Sequence, residues 1–127
     1  LTESAKNTIF YTQLVDGAVE EQIMIEVDYT YDFLPGIDEQ AYATLARKAT
    51  TMMVEAPGFV EFRANRNMVG SPHVKRTSVW NHFADYAALA QNVEFQALTA
   101  EFRTYVTHLK VVIWGPSPYV PKPIRPA

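Results

Sequence analysis

Ile23-Met24-Ile25-Glu26-Val27-Asp28-Tyr29-Thr30-Tyr31 decides the first element of the fold. Its odd positions are all apolar or aromatic, and Glu26, Asp28 and Thr30 alternate with them. A period of two is the period of a strand, here with one greasy face and one mixed face. Pro35-Gly36 breaks the pattern, and Asp38 stands where a helix N-cap belongs. Beyond it Tyr42, Leu45, Ala46, Ala49, Met52 and Met53 recur at helical spacing and predict a helix with one apolar stripe. Pro57-Gly58 stops that helix, and Phe59 to Asn65 alternates again as a second strand.

Val69-Gly70-Ser71-Pro72 reads as a turn, and Val74 to Asn81 as a third strand. After Asn81 the period switches. Phe83, Tyr86, Ala87 and Ala90 predict a short helix, and Phe95, Leu98, Phe102 and Tyr105, with Val106 beside them, a second stripe. Leu109 to Trp114 is a β-prone run closed by Gly115-Pro116. Residues 1–22 are expected to precede the domain proper as an extension, with a β-prone stretch at Thr8–Thr12 and a turn at Val15–Ala18. Residues 23–115 form the domain. Residues 116–127, with five prolines, are expected as an extended tail without a helix or a paired central strand.

The order is strand-helix-strand twice over, βαββαβ, the signature of an α+β ferredoxin-like unit with a four-stranded antiparallel sheet. Its helices lie on one face of the sheet. The other face is expected to find cover, most simply from a second copy, which would make a dimeric α+β barrel and a homodimer. A monomer with the tail folded over the sheet is the competing arrangement.

The bulk numbers bound the function classes. At 127 residues the chain is one domain, and 48% hydrophobic with 20% charged residues is globular rather than disordered material. The net charge of −3 and the lack of any Lys or Arg block exclude the footprint of a nucleic-acid binder. No apolar run reaches the roughly eighteen residues of a membrane span. Cysteine is absent, so there is no disulfide and no thiolate nucleophile or metal ligand. That fits a reducing compartment and a cytoplasmic location. The chain starts at Leu1, which leaves a removed leader open, although Leu1–Lys6 has no apolar signal core. No glycine-rich phosphate loop is present, and the three histidines lack metal-ligand spacing, so neither a metal nor a cofactor is expected.

Two segments carry a resemblance. Pro57-Gly58-Phe59-Val60-Glu61-Phe62 and Ser78-Val79-Trp80-Asn81-His82-Phe83-Ala84-Asp85-Tyr86-Ala87-Ala88-Leu89 resemble the helix-ending Pro-Gly and the strand-ending Trp of antibiotic-biosynthesis monooxygenase domains. The similarity spans about Ile23 to Trp114. It implies the dimeric α+β barrel and, for members that oxidise aromatic polyketides without a cofactor, a pocket Trp and Tyr at the positions of Trp80 and Tyr86. The chain departs from that pattern twice. Arg76 replaces a pocket Asn, and Gln91 stands where a His is common near the end of the short helix, which counts against the haem-degrading branch.

The candidate catalytic residues are therefore Trp80 as a pocket wall, and Tyr86 and His82 as proton-handling groups. Arg76, Ser78, Arg63 and Asn65 are candidate substrate-binding residues. Each has a plainer reading. Trp80 and Tyr86 also suit a core, His82 suits a helix cap or water, and Arg63 and Asn65 suit a solvated edge or a dimer interface. Arg76 and Ser78 share strand parity with Trp80, which favours a lumen. Three functions remain open: a cofactor-independent monooxygenase on a small aromatic or polyketide-type molecule, a cyclase or isomerase, and a non-catalytic dimeric barrel binding a small apolar ligand.

Overall fold

The computed structural model describes residues 24–127; the expected extension over 1–22, and Ile23 at the start of the first strand, lie outside the described residues. The elements are β1 (Ile25–Phe33), α1 (Glu39–Glu55), β2 (Phe59–Arg66), β3 (Val74–Trp80), α2 (Phe83–Ala90), α3 (Val93–Phe102) and β4 (Val106–Trp114). The sheet runs β2-β3-β1-β4 with every neighbouring pair antiparallel. Two split strand-helix-strand units thus interleave, each pair of parallel strands holding a strand of the other unit between them. The βαββααβ order is the expected ferredoxin-like one, with the second helical block in two pieces.

Local chemistry sets the boundaries. The Asp38 carboxylate accepts from the Ala41 N–H at 3.1 Å and caps α1. Gly58 then turns the chain into β2 at φ +84°, a conformation that disfavours a side chain, and the Asp85 carboxyl packs where a Cβ would sit. Asn92 caps α3 by accepting from the Phe95 N–H at 2.9 Å, so that helix begins at Val93 rather than Phe95. It ends at Phe102, sooner than the stripe through Tyr105 implied. The Thr104 hydroxyl donates to the Glu101 carbonyl at 2.7 Å and helps close the helix end without Gly or Pro. Val106 consequently starts β4, three residues ahead of the expected Leu109.

The odd positions of β1 meet the helices, as their alternation predicts. Ile25 and Val27 pack with Trp80, Tyr86, Leu89 and Phe95, while Tyr31 packs with Leu45, Phe102 and Val106. Full burial of a side chain such as Val27 contributes about 1.5–3 kcal/mol. The even positions face the other way, and that face is more polar than an argument from apolar cover requires. Asp28 accepts from Thr77 Oγ1 at 2.6 Å and from Trp114 Nε1 at 2.9 Å. Arg63 pairs with Glu26 at 2.8 Å and with Glu61. Met24 and Trp114 remain exposed. The tail beyond Trp114 has neither helix nor strand, as expected, and its Tyr119 and Ile124 are exposed.

At the far end of β1 a bulge shifts the β4 register between Thr30 and Asp32 and puts His108 at φ 57°. The buried Asp32 carboxylate ties this corner together. It accepts from Ser71 Oγ at 2.7 Å and from the His73 N–H at 2.9 Å, and it meets His108 Nδ1 at 3.0 Å. Ser71, then His108 and the His73 amide, hold its pKa below the ordinary 3.8 against the opposing effect of burial. A depressed folded-state pKa stabilises the fold above the unfolded value and loses that contribution as pH falls through the folded value. Asp32→Asn should therefore lower stability at neutral pH and flatten its decline below pH 3.8. Urea midpoints measured from pH 7 downward check this; parallel curves for wild type and variant would remove Asp32 as the acid-sensitive tie.

Candidate functional site

Between the helix layer and the sheet lies a small apolar cavity of about 40 Å³. Its floor is Tyr29, Phe62, Arg76 and Ser78; Ala49 and Met53 of α1, Tyr86 of α2, and Phe95, Leu98 and Thr99 of α3 close it. Strand parity selects the floor. Ser78 pairs with Phe62 and with Val27, and Arg76 with Ala64 and Tyr29, so these positions share the helix-facing side. Past Arg76 a cleft of about 350 Å³ opens beside α1. Past Tyr29 and Tyr86 a groove of about 360 Å³ runs to Leu109 and Val111 on the β4 edge.

Beside the Ser78 and Thr99 hydroxyls, two polar features mark the lining. The first is a hydroxyl pair, Tyr29 Oη to Tyr86 Oη at 2.8 Å. Burial first, and then the Tyr29 hydroxyl, push the Tyr86 pKa far above its ordinary value. Tyr86 is thus a neutral hydrogen-bond donor or acceptor at physiological pH, not a base. Whichever phenol donates within the pair, the other keeps one hydrogen to offer a ligand. The second feature is Arg76. Its Nη2 donates to Thr50 Oγ1 at 2.6 Å and to the Ala46 carbonyl at 3.4 Å, and its guanidinium lies 4.7 Å from the centre of the Phe62 ring.

The candidate residues divide. Tyr86, Arg76 and Ser78 line the cavity. Trp80 stands behind it, fully buried, its Nε1 donating to Ser78 Oγ at 2.9 Å and its ring edge-on to Phe59 and Tyr86 at 5.6 and 5.9 Å. Its place is the core that fixes Tyr86 and Ser78, not the cavity wall. The structure does not bring His82 to the cavity: its half-exposed ring meets the Asp85 carboxylate at 3.2 Å at the start of α2. Nor does it bring Arg63 and Asn65, which point to the opposite sheet face because Phe62 and Ala64 take the inward positions of β2. That face, away from the helices, is also where a lumen between two sheets would lie, so Arg76 and Ser78 do not face such a lumen.

Sequence reasoning passed over Tyr29, Phe62, Thr50 and Thr99. Tyr29 carried a usable signal, a hydroxyl in a row of otherwise core-facing β1 positions. Thr50 carried one too, lying four residues after Ala46 on the α1 stripe; its hydroxyl bonds the Ala46 carbonyl at 2.8 Å while accepting from Arg76. Among the described residues no cluster of three or more His, Cys, Asp or Glu could hold a metal ion. No helix of the described residues is long and apolar enough to cross a membrane.

No protein-family model matches the chain, and no curated protein matches it in sequence. Solved structures do match. SnoaB, a cofactor-independent oxygenase from Streptomyces nogalater, aligns with TM-score 0.58 and 13% identity over 73% of this chain and 90% of that one. A proposed antibiotic biosynthesis monooxygenase from Chloroflexus aurantiacus aligns with TM-score 0.59 and 17% identity over 74% and 93%. The hydroxynitrile lyase of Passiflora edulis aligns with TM-score 0.65 and 9% identity over 77% and 97%. The fold is therefore that of the dimeric α+β barrel proteins of the antibiotic-biosynthesis monooxygenase and SnoaB type. Oxygenases, a lyase and proteins of unknown function share it, so it selects no reaction.

The placement of Trp80 behind the cavity predicts which quantity moves on mutation. Trp80→Phe opens a gap and removes the bond to Ser78, and should lower unfolding stability by about 1–3 kcal/mol. Denaturant unfolding measures it. Unchanged stability with altered ligand affinity would return Trp80 to the cavity wall.

Proposed function

We propose that this chain binds a small aromatic molecule in the cavity between helices and sheet, and oxidises it as a cofactor-independent monooxygenase. The observation that carries this reading is the convergence of the Arg76 guanidinium and the Tyr29–Tyr86 hydroxyl pair on an otherwise apolar cavity. An aromatic ring fits the lining, and a ring oxygen that ionises is steadied by a fixed cation in a site where water is scarce. The likeness in fold to SnoaB supports the same reaction class.

The chemistry asks little else of the protein. A hydroquinone lowered in pKa by Arg76 ionises, and its anion passes an electron to dioxygen; the two radicals then combine at a ring carbon. Loss of water from the resulting peroxide leaves a hydroxyquinone. In sum one hydroquinone and one dioxygen give one hydroxyquinone and one water, with the substrate as the sole reductant. Tyr86 donates a hydrogen bond to the developing anion, Trp80 packs against the Tyr86 ring, and among the described residues the cavity lining holds no carboxylate or imidazole to serve as base.

That last point favours a second reading, a non-catalytic barrel that only binds the ligand. The cyclase or isomerase reading loses its acid–base partner, because His82 is not on the cavity. On the proposed reading residues 23–115 are the working domain, flanked by the 1–22 extension and the 116–127 tail, in a cytoplasmic homodimer. The fold's likeness to dimeric barrels supports pairing, as do exposed Met24 and Trp114 on the open sheet face and exposed Tyr119 and Ile124 in the tail.

Two measurements decide. Metal-free protein with hydroquinone should consume oxygen, faster as pH rises toward the phenol pKa, and Arg76→Gln should slow it at least tenfold. Binding without oxygen uptake would leave the binding module alone standing. Light scattering should give twice the 14.4 kDa chain mass. A constant single-chain mass from micromolar to millimolar protein would refute the homodimer.

A further inference from the structure

Arg76 is a half-buried cation at the cavity wall. Among the described residues it is paired with no carboxylate: both acceptors of its Nη2, Thr50 Oγ1 and the Ala46 carbonyl, are neutral. The Tyr31 hydroxyl, also neutral, is a further hydrogen-bond partner of the guanidinium; with Thr50 and Ala46 it makes three partners among the described residues for five N–H donors, which leaves part of the group open to a ligand. Burial raises the Tyr31 pKa far above the ordinary value, and the guanidinium only partly opposes that. It stays neutral, bonded to Tyr42. The Phe62 ring, its centre 4.7 Å from the guanidinium carbon, and the bonds of Nη2 together hold the group at the cavity wall.

The surroundings share the sign. The cleft outside Arg76 is lined also by Arg47, Thr50 and Glu55. Arg47 reaches only Thr44 Oγ1, at 3.5 Å, and among the described residues Glu55 forms an ion pair with neither arginine. Two guanidinium groups against one carboxylate leave the cleft net positive. A half-buried cation beside an apolar cavity, with no counter-ion among the described residues, is a site that gains when an anion arrives.

Size narrows the ligand further. A cavity of about 150 Å³ holds one benzene, and this one measures about 40 Å³. Even a single ring therefore needs side chains to yield, and Met53, flexible and half-buried, is the one suited to do so. A three-ring body has no place among Phe62, Phe95 and Leu98.

We propose that the ligand of this cavity is a single-ring aromatic carboxylic acid, its ring among Met53, Phe62, Phe95 and Leu98 and its carboxylate on the Arg76 guanidinium. This rests on the reading of the cavity as the ligand site and narrows the substrate class. The spare hydrogen of the Tyr29–Tyr86 pair is left for a ring hydroxyl, so 2,5-dihydroxybenzoate presents every group the site addresses.

Calorimetric titration of the full chain at pH 7 tests it with three probes. These are 2,5-dihydroxybenzoate, hydroquinone as the same ring without the carboxylate, and acetate as the carboxylate without the ring. The wild type should bind 2,5-dihydroxybenzoate about ten- to a hundredfold tighter than hydroquinone. Arg76→Gln should erase that difference, weakening 2,5-dihydroxybenzoate at least tenfold more than it weakens hydroquinone, and Tyr86→Phe should weaken both aromatic ligands. Equal wild-type affinities for 2,5-dihydroxybenzoate and hydroquinone would overturn the carboxylate inference and leave the cavity reading intact. So would acetate binding as tightly as 2,5-dihydroxybenzoate. Absence of binding by either aromatic probe would overturn the cavity reading and the inference with it. Should Arg76→Gln fold poorly, the wild-type ratio between the two aromatic probes still decides.

Discussion

A tyrosine hydroxyl taken out of water must find a partner, and β1 carries two on its helix-facing side, Tyr31 buried and Tyr29 partly so. Tyr29 meets Tyr86 of α2, and Tyr31 meets Tyr42 of α1. Each pair crosses from sheet to helix, so a hydroxyl contact sets where a helix rests on the sheet as well as satisfying a polar group. Tyr31 is wedged edge-on against Phe102, with centroids 5.0 Å apart, which ties α3 to the same strand. The cavity is what remains between these two anchored points, and Arg76 from the neighbouring strand closes it. The site thus depends on a satisfaction constraint in the core.

Much of this was legible in the residues. The alternation at Ile25, Val27, Tyr29 and Tyr31, the Asp38 cap and the Pro57-Gly58 stop give the elements and their order directly, because each is a local signal. The halves of the site differed. Arg76, Ser78 and Trp80 share one parity, so their common side of β3 was readable. Whether Trp80 lined a space or filled one was not, since that depends on how closely Phe59 and Tyr86 approach it. Arg63 and Asn65 were offered as site residues because parity within β2 does not say which side the helices cover. Only the register that pairs Arg63 with Thr77 settles that they point away. The end of α3 was hidden for a related reason, lying in a Thr104 side-chain bond rather than in a Gly or Pro.

The two faces of the sheet do different work. On the open face, charges answer one another: Arg63 between Glu26 and Glu61, Asp28 between Thr77 and Trp114, Asp32 among Ser71, His73 and His108. On the helix face the acceptors of Arg76 among the described residues are neutral. Among the described residues the half-buried Arg76 thus has no counter-ion. The fold is shared by proteins of different activities, so the ligand is best argued from this chain's own side chains, the guanidinium at the cavity wall first.

The most direct test of that account is a heteronuclear NMR titration of the protein with 2,5-dihydroxybenzoate, following the Arg76 Nε–Hε signal and the ring signals of Tyr29 and Tyr86. The account predicts that these three move together and saturate at one affinity, while the Arg63 Nε–Hε signal on the opposite sheet face stays in place. Shifts confined to Arg63 and its neighbours, with Arg76 and Tyr86 unmoved at saturation, would contradict it.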